Sequence, residues 1–300
     1  MFSFTKKQEV FDISGIKIGG QPGEYPTVLL GGVFFKGEPN FKREKENIQN
    51  MLGLSKKTGN PAIPDFFIRK KEYVEEIVDF IEQVLPKKHP FSIDIIEPSV
   101  KIETLEYLDK KHLLKRTIYN SIHIGITKEE LEALKRYKPE MAILVAFNPK
   151  DKSPDGKIEV LENGAHLIDK GLLATAEEIG IKKILIDTAS LAPGENSGAS
   201  IAAIPVIKEE YGFPTGCAIH NVVEKSKWLN NYFESARKTV DASSNMDIVL
   251  FGGDYAIYGP LENADLVFPM IAWQDILISE YTENYFGVKP AENHPRRKFF

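Results

Sequence analysis

The stretch "KKILIDTASLAPGENSGASIAAIPVIKEEYGFPTGCAIHNVVEKSKW", Lys182 to Trp228, decides the fold. Two short β-rich runs, residues 182 to 189 and 216 to 221, stand on either side of a helical segment, "ASIAAIPVIKEEYG". Strands joined through a helix are parallel neighbours, because a hairpin connection is too short to hold one. The same alternation repeats outward in both directions. Further candidate strands are "TVLLGGVFF" (27 to 35), "PAIPDFF" (61 to 67), "FSIDII" (91 to 96), "RTIYNSI" (116 to 122), "MAILVAFN" (141 to 148) and "MDIVLFG" (246 to 252). Helical segments such as "EYVEEIVDFIEQVL", "KEELEALKRY" and "KGLLATAEEIG" lie between them. Eight strands alternating with helices predict a closed (β/α)8 TIM barrel rather than an open doubly wound sheet. The run at 61 to 67 holds two prolines and has the weakest strand pattern.

Before the first long strand, "VFDISGIKIGG" alternates apolar and polar residues around Ser14-Gly15, which predicts a short N-terminal hairpin at about residues 8 to 20. The closing segment, about 287 to 300, reads as a terminal tail or an assembly arm. No repeat, low-complexity tract or Pro/Ser linker divides the chain, so residues 1 to 300 are expected to form one domain.

A formal charge of −5, with Lys and Arg interleaved among Glu as in "KREKENIQN", gives no basic stripe for nucleic acid. The single cysteine, Cys217, excludes an internal disulfide framework and any multi-cysteine metal site within this chain. A reducing, cytoplasmic setting follows as the expectation. No signal-peptide core and no apolar run of membrane-spanning length is present, so membrane association is expected only through a partner.

In such a barrel the chemistry sits at the carboxyl ends of the strands. The polar residues that interrupt the apolar runs there are Asp94 of "SIDIIEP", Asn120 of "TIYNSI", Asn148 of "AFNPKD", Asp187 of "LIDTAS" and Asn221 of "AIHNVV". Amides offer donors and acceptors without charge, and carboxylates offer acceptors. Together they suit a flat heterocycle with ring nitrogens, a carbonyl and an exocyclic amine, such as a pterin. They suit a metal poorly, since no His pair or carboxylate cluster stands at ligand spacing. Any one of them could instead be a turn residue or helix cap, and Asn148, directly before Pro149, fits that role best. His220 is expected at the rim or as a support. Ser197 lies in "PGENSGAS", whose backbone could receive an anion or serve as a plain loop. Cys217 reads as core, and the Gly-x-Ser-x-Gly and His-Glu-x-x-His signatures are absent.

Longer segments carry a resemblance: "VFDISGIKIGGQPGEYPTVLLGGVFF", "KTGNPA" (57 to 62), "YNSI" (119 to 122), "FNPKD" (147 to 151), "LIDTASLAPGENSGAS" (185 to 200), "IHNVVEKSKWL" (219 to 229) and "GDYAIYGPLENADLVFP" (253 to 269). In order and nearly end to end, they resemble the H-subunit family of tetrahydromethanopterin S-methyltransferase and its bacterial methyltetrahydrofolate:corrinoid methyltransferase relatives. The resemblance implies a pterin-binding barrel. It would move a methyl group between N5 of a tetrahydropterin, tetrahydromethanopterin or tetrahydrofolate, and the cobalt of a corrinoid on a separate protein. It implies that Asp94, Asn120 and Asp187 grip the pyrimidine edge, with Asn148 in the same pterin-binding set. Asn221 would reach N5, with Asp94 as its catalytic companion. A homodimer and a corrinoid-protein partner are implied as well.

Two alternatives stand beside this. One is a non-catalytic subunit that binds a pterin or docks a corrinoid protein. The other is a dihydropteroate synthase-like enzyme, which requires basic residues for a pyrophosphate; "GGVFFKGEPN" offers Lys36 alone.

Overall fold

Side chains along a β-strand point alternately to its two faces, and that alternation builds both the barrel and its mouth. A computed structural model describes residues 2–35 and 39–300, so Lys36 lies outside the described residues. Two antiparallel strands come first, β1 (Val10–Ile13) and β2 (Ile16–Gly19). Ser14 and Gly15 between them both have positive φ, the backbone a two-residue hairpin turn needs. Eight parallel strands follow: β3 (Val28–Phe34), β4 (Ala62–Phe67), β5 (Phe91–Asp94), β6 (Thr117–Ile122), β7 (Met141–Val145), β8 (Lys183–Asp187), β9 (Thr215–Cys217) and β10 (Tyr255–Pro260). They close into a barrel in sequence order, β10 returning to β3.

The surrounding helices are α1 (Phe41–Thr58), α2 (Val74–Val84), α3 (Pro98–Lys110), α4 (Lys128–Tyr137), α5 (Pro154–Glu162) and α6 (Leu172–Ile179). They continue as α7 (Gly198–Tyr211), α8 (His220–Glu224), α9 (Lys227–Tyr232), α10 (Arg237–Leu250), α11 (Ala264–Phe286) and α12 (Pro295–Phe299). No helix among the described residues is long and apolar enough to cross a membrane.

The strands sort their residues into two cores. Val28, Leu30, Ile63, Ile118, Met141 and Leu185 form an inner cluster, while alternate positions such as Leu29, Ala62 and Tyr119 pack against the helices. Ile13 and Ile18 of the hairpin, both fully buried, join the inner cluster and plug the barrel's amino-terminal end. Lys208 of α7 ties that plug down, donating to Gly20 O at 3.1 Å and to Asp254 Oδ1 at 2.5 Å. With one end sealed by apolar side chains, the other end is left for ligands.

The proline-bearing run does form a strand, β4, paired on both sides through Leu30↔Ile63 and Asp65↔Ser92. The eighth strand is a correction: residues 246 to 252 are not β but the end of α10 and the turn after it, and the strand is β10, beginning at Tyr255. The reason is periodicity. Asp241, Ala242, Asn245, Ile248 and Val249 are the buried residues of α10, a helical stripe, and the apolar run "DIVL" is only its last turn. β9 is also shorter than expected and stops at Cys217, because Asn221 N and Val222 N already bond back to Ala218 O and Ile219 O as the first turn of α8. Residues 287 to 300 do not hang free: His294 is fully buried, and Arg296 Nη1 donates to Ser279 O of α11 at 2.8 Å.

Candidate active site

The inward parity of each strand decides which polar side chains reach the mouth. Ile63, Ile118 and Leu185 point into the barrel, so Asp65, Asn120 and Asp187, two residues on, point inward one layer higher. Asp94 pairs with Asn120 across β5 and β6, which sets these two at the same level. A cavity of about 200 Å³ is lined by Asp65, Asp94, Asn120, Asp187, His220 and Asn221, with Gly32, Phe34 and Gly259 among its walls. It adjoins a larger cavity of about 670 Å³, lined by Arg43, Glu224, Arg237, Lys238, Asp241 and Glu262 among others. Phe34, His220 and Asn221 line both.

Of the residues singled out from the sequence, the fold thus gathers Asp94, Asn120, Asp187, Asn221 and His220. Asn148 is a correction: its Nδ2 donates to Gly156 O at 3.1 Å, and its Oδ1 accepts from Lys150 N and Asp151 N, so both ends of the amide are spent on its own loop. Ser197 stands just before α7, outside the residues that line either cavity. His220 and Asn221 arrive on the first turn of α8, not on a strand, and Asn221 is exposed there.

Asp65 is the site residue that the sequence reading missed. Its Oδ2 accepts from Asn120 Nδ2 at 3.2 Å, and its buried Oδ1 has no hydrogen-bond partner among the described residues. The signal was available: a single charged residue in the apolar run "PAIPDFF", on the inward parity set by Ile63. Asp241 was missed too, having no local pattern to mark it.

Three carboxyls in one cavity cannot all ionise freely. Burial pushes Asp187 up to about 6, although Ala189 N donates to its Oδ1 at 2.7 Å and the Lys157 cation pulls the other way. Burial raises Asp94 and the charge of Asp65 raises it further, Lys101 opposing. Asp65 itself is raised by burial. A ligand that donates hydrogen bonds or carries positive charge would favour the ionised form of all three. Lys101 also anchors the strand ends from behind: its Nζ donates to Ser121 O at 3.0 Å and pairs with Glu130 at 2.9 Å, and Tyr119 Oη donates to the same carboxylate at 2.7 Å.

On the far wall, His220 Nδ1 lies 2.8 Å from Asp241 Oδ2, which also accepts from Asn263 Nδ2 at 2.6 Å. Gly259, at φ +87°, makes room for this ring; a Cβ there would stand 2.4 Å from His220 Cγ. Gly259→Ala is expected to cost about 1–3 kcal/mol, from a strained backbone and a displaced imidazole. The change in denaturant midpoint measures it.

The sequence profile of the family described as "Tetrahydromethanopterin S-methyltransferase MtrH subunit" matches residues 6–291. The chain belongs to this family. The H subunit of tetrahydromethanopterin S-methyltransferase from Methanothermobacter thermautotrophicus is 40% identical to it over 98% of both chains. The H subunit of a putative methyltransferase, mtx, from Methanosarcina barkeri is 36% identical over 98% of both. Among solved structures, a dihydropteroate synthase from Stenotrophomonas maltophilia superposes with a TM-score of 0.60, covering 90% of this chain and 98% of its own. At 15% identity that is a likeness of fold alone. Membership makes the chain a methyltransferase of the MtrH family, and the mouth of its barrel is the place where six polar side chains converge.

Proposed function

We propose that the protein moves a methyl group between N5 of a tetrahydropterin and the cobalt of a corrinoid carried by a separate protein. The observation that carries this is the small cavity itself: carboxyls and amides at one level of the barrel, opening past Asn221 into a wider chamber. Asp94, Asn120 and Asp187 match the donor and acceptor edge of a pterin's pyrimidine ring, the carboxylates accepting from the ring N–H and exocyclic amine. Tetrahydromethanopterin is the substrate favoured here, because the named relatives at 33–40% identity include the H subunit of its S-methyltransferase from several organisms.

Cobalt(I) is a strong nucleophile, but N5 is a poor leaving group unless charge developing there is met by a hydrogen bond or a proton. Asn221 can serve N5 in either state, since its amide both donates and accepts. Held in the cavity, the methyl group would face the larger chamber, where a corrinoid could approach in line. Exposed aromatics run up in sequence to that chamber: Trp228 (62% exposed), Tyr232 (75%) and Phe233 (48%) precede Glu234, which lines it. Such a patch suits a partner surface. The double variant Trp228→Ala/Tyr232→Ala is expected to raise KM for a protein-bound corrinoid by about tenfold or more, with little effect on free cobalamin. Steady-state kinetics with both acceptors measures the difference.

The proposal includes a homodimer, for which the exposed Trp273 and Phe300, lining one surface hollow with Ile276 and Leu277, offer an apolar face. Sedimentation velocity reads that state. The function is tested anaerobically, by mixing the protein with cobalt(I) cobalamin and either methyl-tetrahydromethanopterin or methyl-tetrahydrofolate and following the cobalt(I) absorbance. Loss of the band with one donor supports transfer and assigns the pterin. A stable band with both donors, and with corrinoid-loaded partner protein, contradicts it and favours a binding subunit.

A further inference from the structure

Methyl transfer to cobalt leaves N5 needing a proton, and the carboxyls around the small cavity are placed for the ring edge rather than for N5. The pair His220 and Asp241 stands on the other side, beside Asn221. We propose that His220 is the proton carrier for N5 and that Asp241 is its positioning residue; this rests on the methyl-transfer reading of the same site.

Four observations carry it. His220 is 8% exposed and lines both cavities, so what remains open of its ring faces the junction between them. Its Nδ1 is held at 2.8 Å by Asp241 Oδ2, and Asp241 is itself 3% exposed. A carboxylate can only accept, so the hydrogen between them is carried on Nδ1, and Nε2 is left free of that bond to exchange a proton with a ligand. Asn263 Nδ2, donating to the same oxygen at 2.6 Å, fixes the orientation of Asp241. Finally, Gly259 at positive φ gives the ring a seat that any side chain would fill. A histidine needed only for packing would not require a buried carboxylate, an asparagine behind it and a glycine cut to its outline.

Electrons and protons balance in this step. A cobalt(I) corrinoid supplies both electrons of the new Co–C bond and becomes cobalt(III). The N5–C bond breaks with its pair left on N5, and N5 takes the proton from Nε2 of the imidazolium. Neutral imidazole remains with its Nδ1–H on Asp241, and water from the wide chamber restores the Nε2 proton. In the return direction Nε2 takes the N5 proton as the methyl group comes back.

Several charged groups face this ring. Asp241 comes from α10 and Glu224 from the ring's own helix, with its Oε2 3.7 Å from Nε2. Across the wide chamber stand Arg43, Arg237 and Lys238, countered by Glu234 and Glu262. The small cavity adds Asp65, Asp94 and Asp187. Because transfer from methyl-pterin to cobalt consumes a proton at N5, it should fall as pH rises, and methyl return should rise.

The test is single-turnover transfer from methyl-tetrahydromethanopterin to cobalt(I) cobalamin across about pH 5 to 9, with wild type, His220→Gln, Asp241→Asn and His220→Gly, and pterin binding measured by calorimetry. Expected are a loss of about 10²-fold or more in His220→Gln with pterin affinity retained, disappearance of the high-pH limb, and partial recovery of His220→Gly by added imidazole. Asp241→Asn should slow transfer and move the limb without removing it. The proposal is overturned if His220→Gln keeps the wild-type rate and pH limb. It is equally overturned if the rate falls only in step with lost pterin binding, with no imidazole rescue and an unchanged limb in Asp241→Asn. A wild type that transfers no methyl group overturns the methyl-transfer reading itself, an outcome distinct from either.

Discussion

Asn221→Ala is expected to slow methyl transfer by about 10²–10³-fold, the usual cost of removing one hydrogen bond that tightens as charge develops. Affinity for the pterin should change far less, because Asp94, Asn120 and Asp187, the proposed ligands of the ring, remain. The separation between rate and binding is the informative part. Asn221 is exposed on the first turn of a short helix and lines both cavities, so its loss removes little packing. Single-turnover rates paired with calorimetry measure the two effects. Equal losses in both would mean that Asn221 serves ground-state binding and not the transition state.

The second large effect concerns stability. Asp187 titrates at about 6 in the folded protein, well above its ordinary 3.8, because it is buried. Its native form thus binds a proton more tightly than the unfolded chain does. Below about pH 4 the carboxyl is neutral in both states and its burial carries no charge penalty; as pH rises through about 6 the native state must bury the charge, and stability falls. Each pH step of one between the unfolded and folded values is worth about 1.4 kcal/mol, so the loss is about 3 kcal/mol by pH 8. Asp187→Asn is expected to recover most of it, since an amide oxygen can still accept from Ala189 N. The variant should melt higher than wild type at pH 8, with the advantage shrinking toward pH 4. Pterin affinity should fall at the same time, by about tenfold or more, since a charged acceptor is replaced by a neutral one. Thermal unfolding across pH, with and without pterin, measures both halves. Stability given up for a charged pocket is the pattern of a binding site rather than of a core.

Much of this was legible in the sequence. Period-two runs separated by helical segments gave seven of the eight barrel strands, and the hairpin around Ser14-Gly15 was marked by its turn residues. The eighth strand was misplaced because "MDIVLFG" is apolar enough to resemble a strand when read alone. Only with Asp241 and Asn245 included does its helical spacing show, and the strand is "YAIYGP", behind Gly252-Gly253. Asp94, Asn120 and Asp187 were found as polar interruptions at strand ends, which is where a barrel places its ligand groups. Asp65 escaped because "PAIPDFF" continues with two phenylalanines, so the carboxyl looked internal to the run. Asn148 was grouped with the ligand set on position, whereas its Asn-Pro turn chemistry governs what the side chain does. The His220–Asp241 pair could not be read at all, since it joins the start of one helix to the second turn of another and depends on tertiary packing.

The measurement that tests the central claim most directly is a crystal structure of the protein with methyl-tetrahydromethanopterin. The expected result is a pterin ring in the small cavity, its pyrimidine edge on Asp94, Asn120 and Asp187, with N5 within hydrogen-bond reach of Asn221 and the methyl group turned toward the wide chamber. A pterin bound elsewhere on the barrel, or bound here with N5 turned away from Asn221, would contradict it.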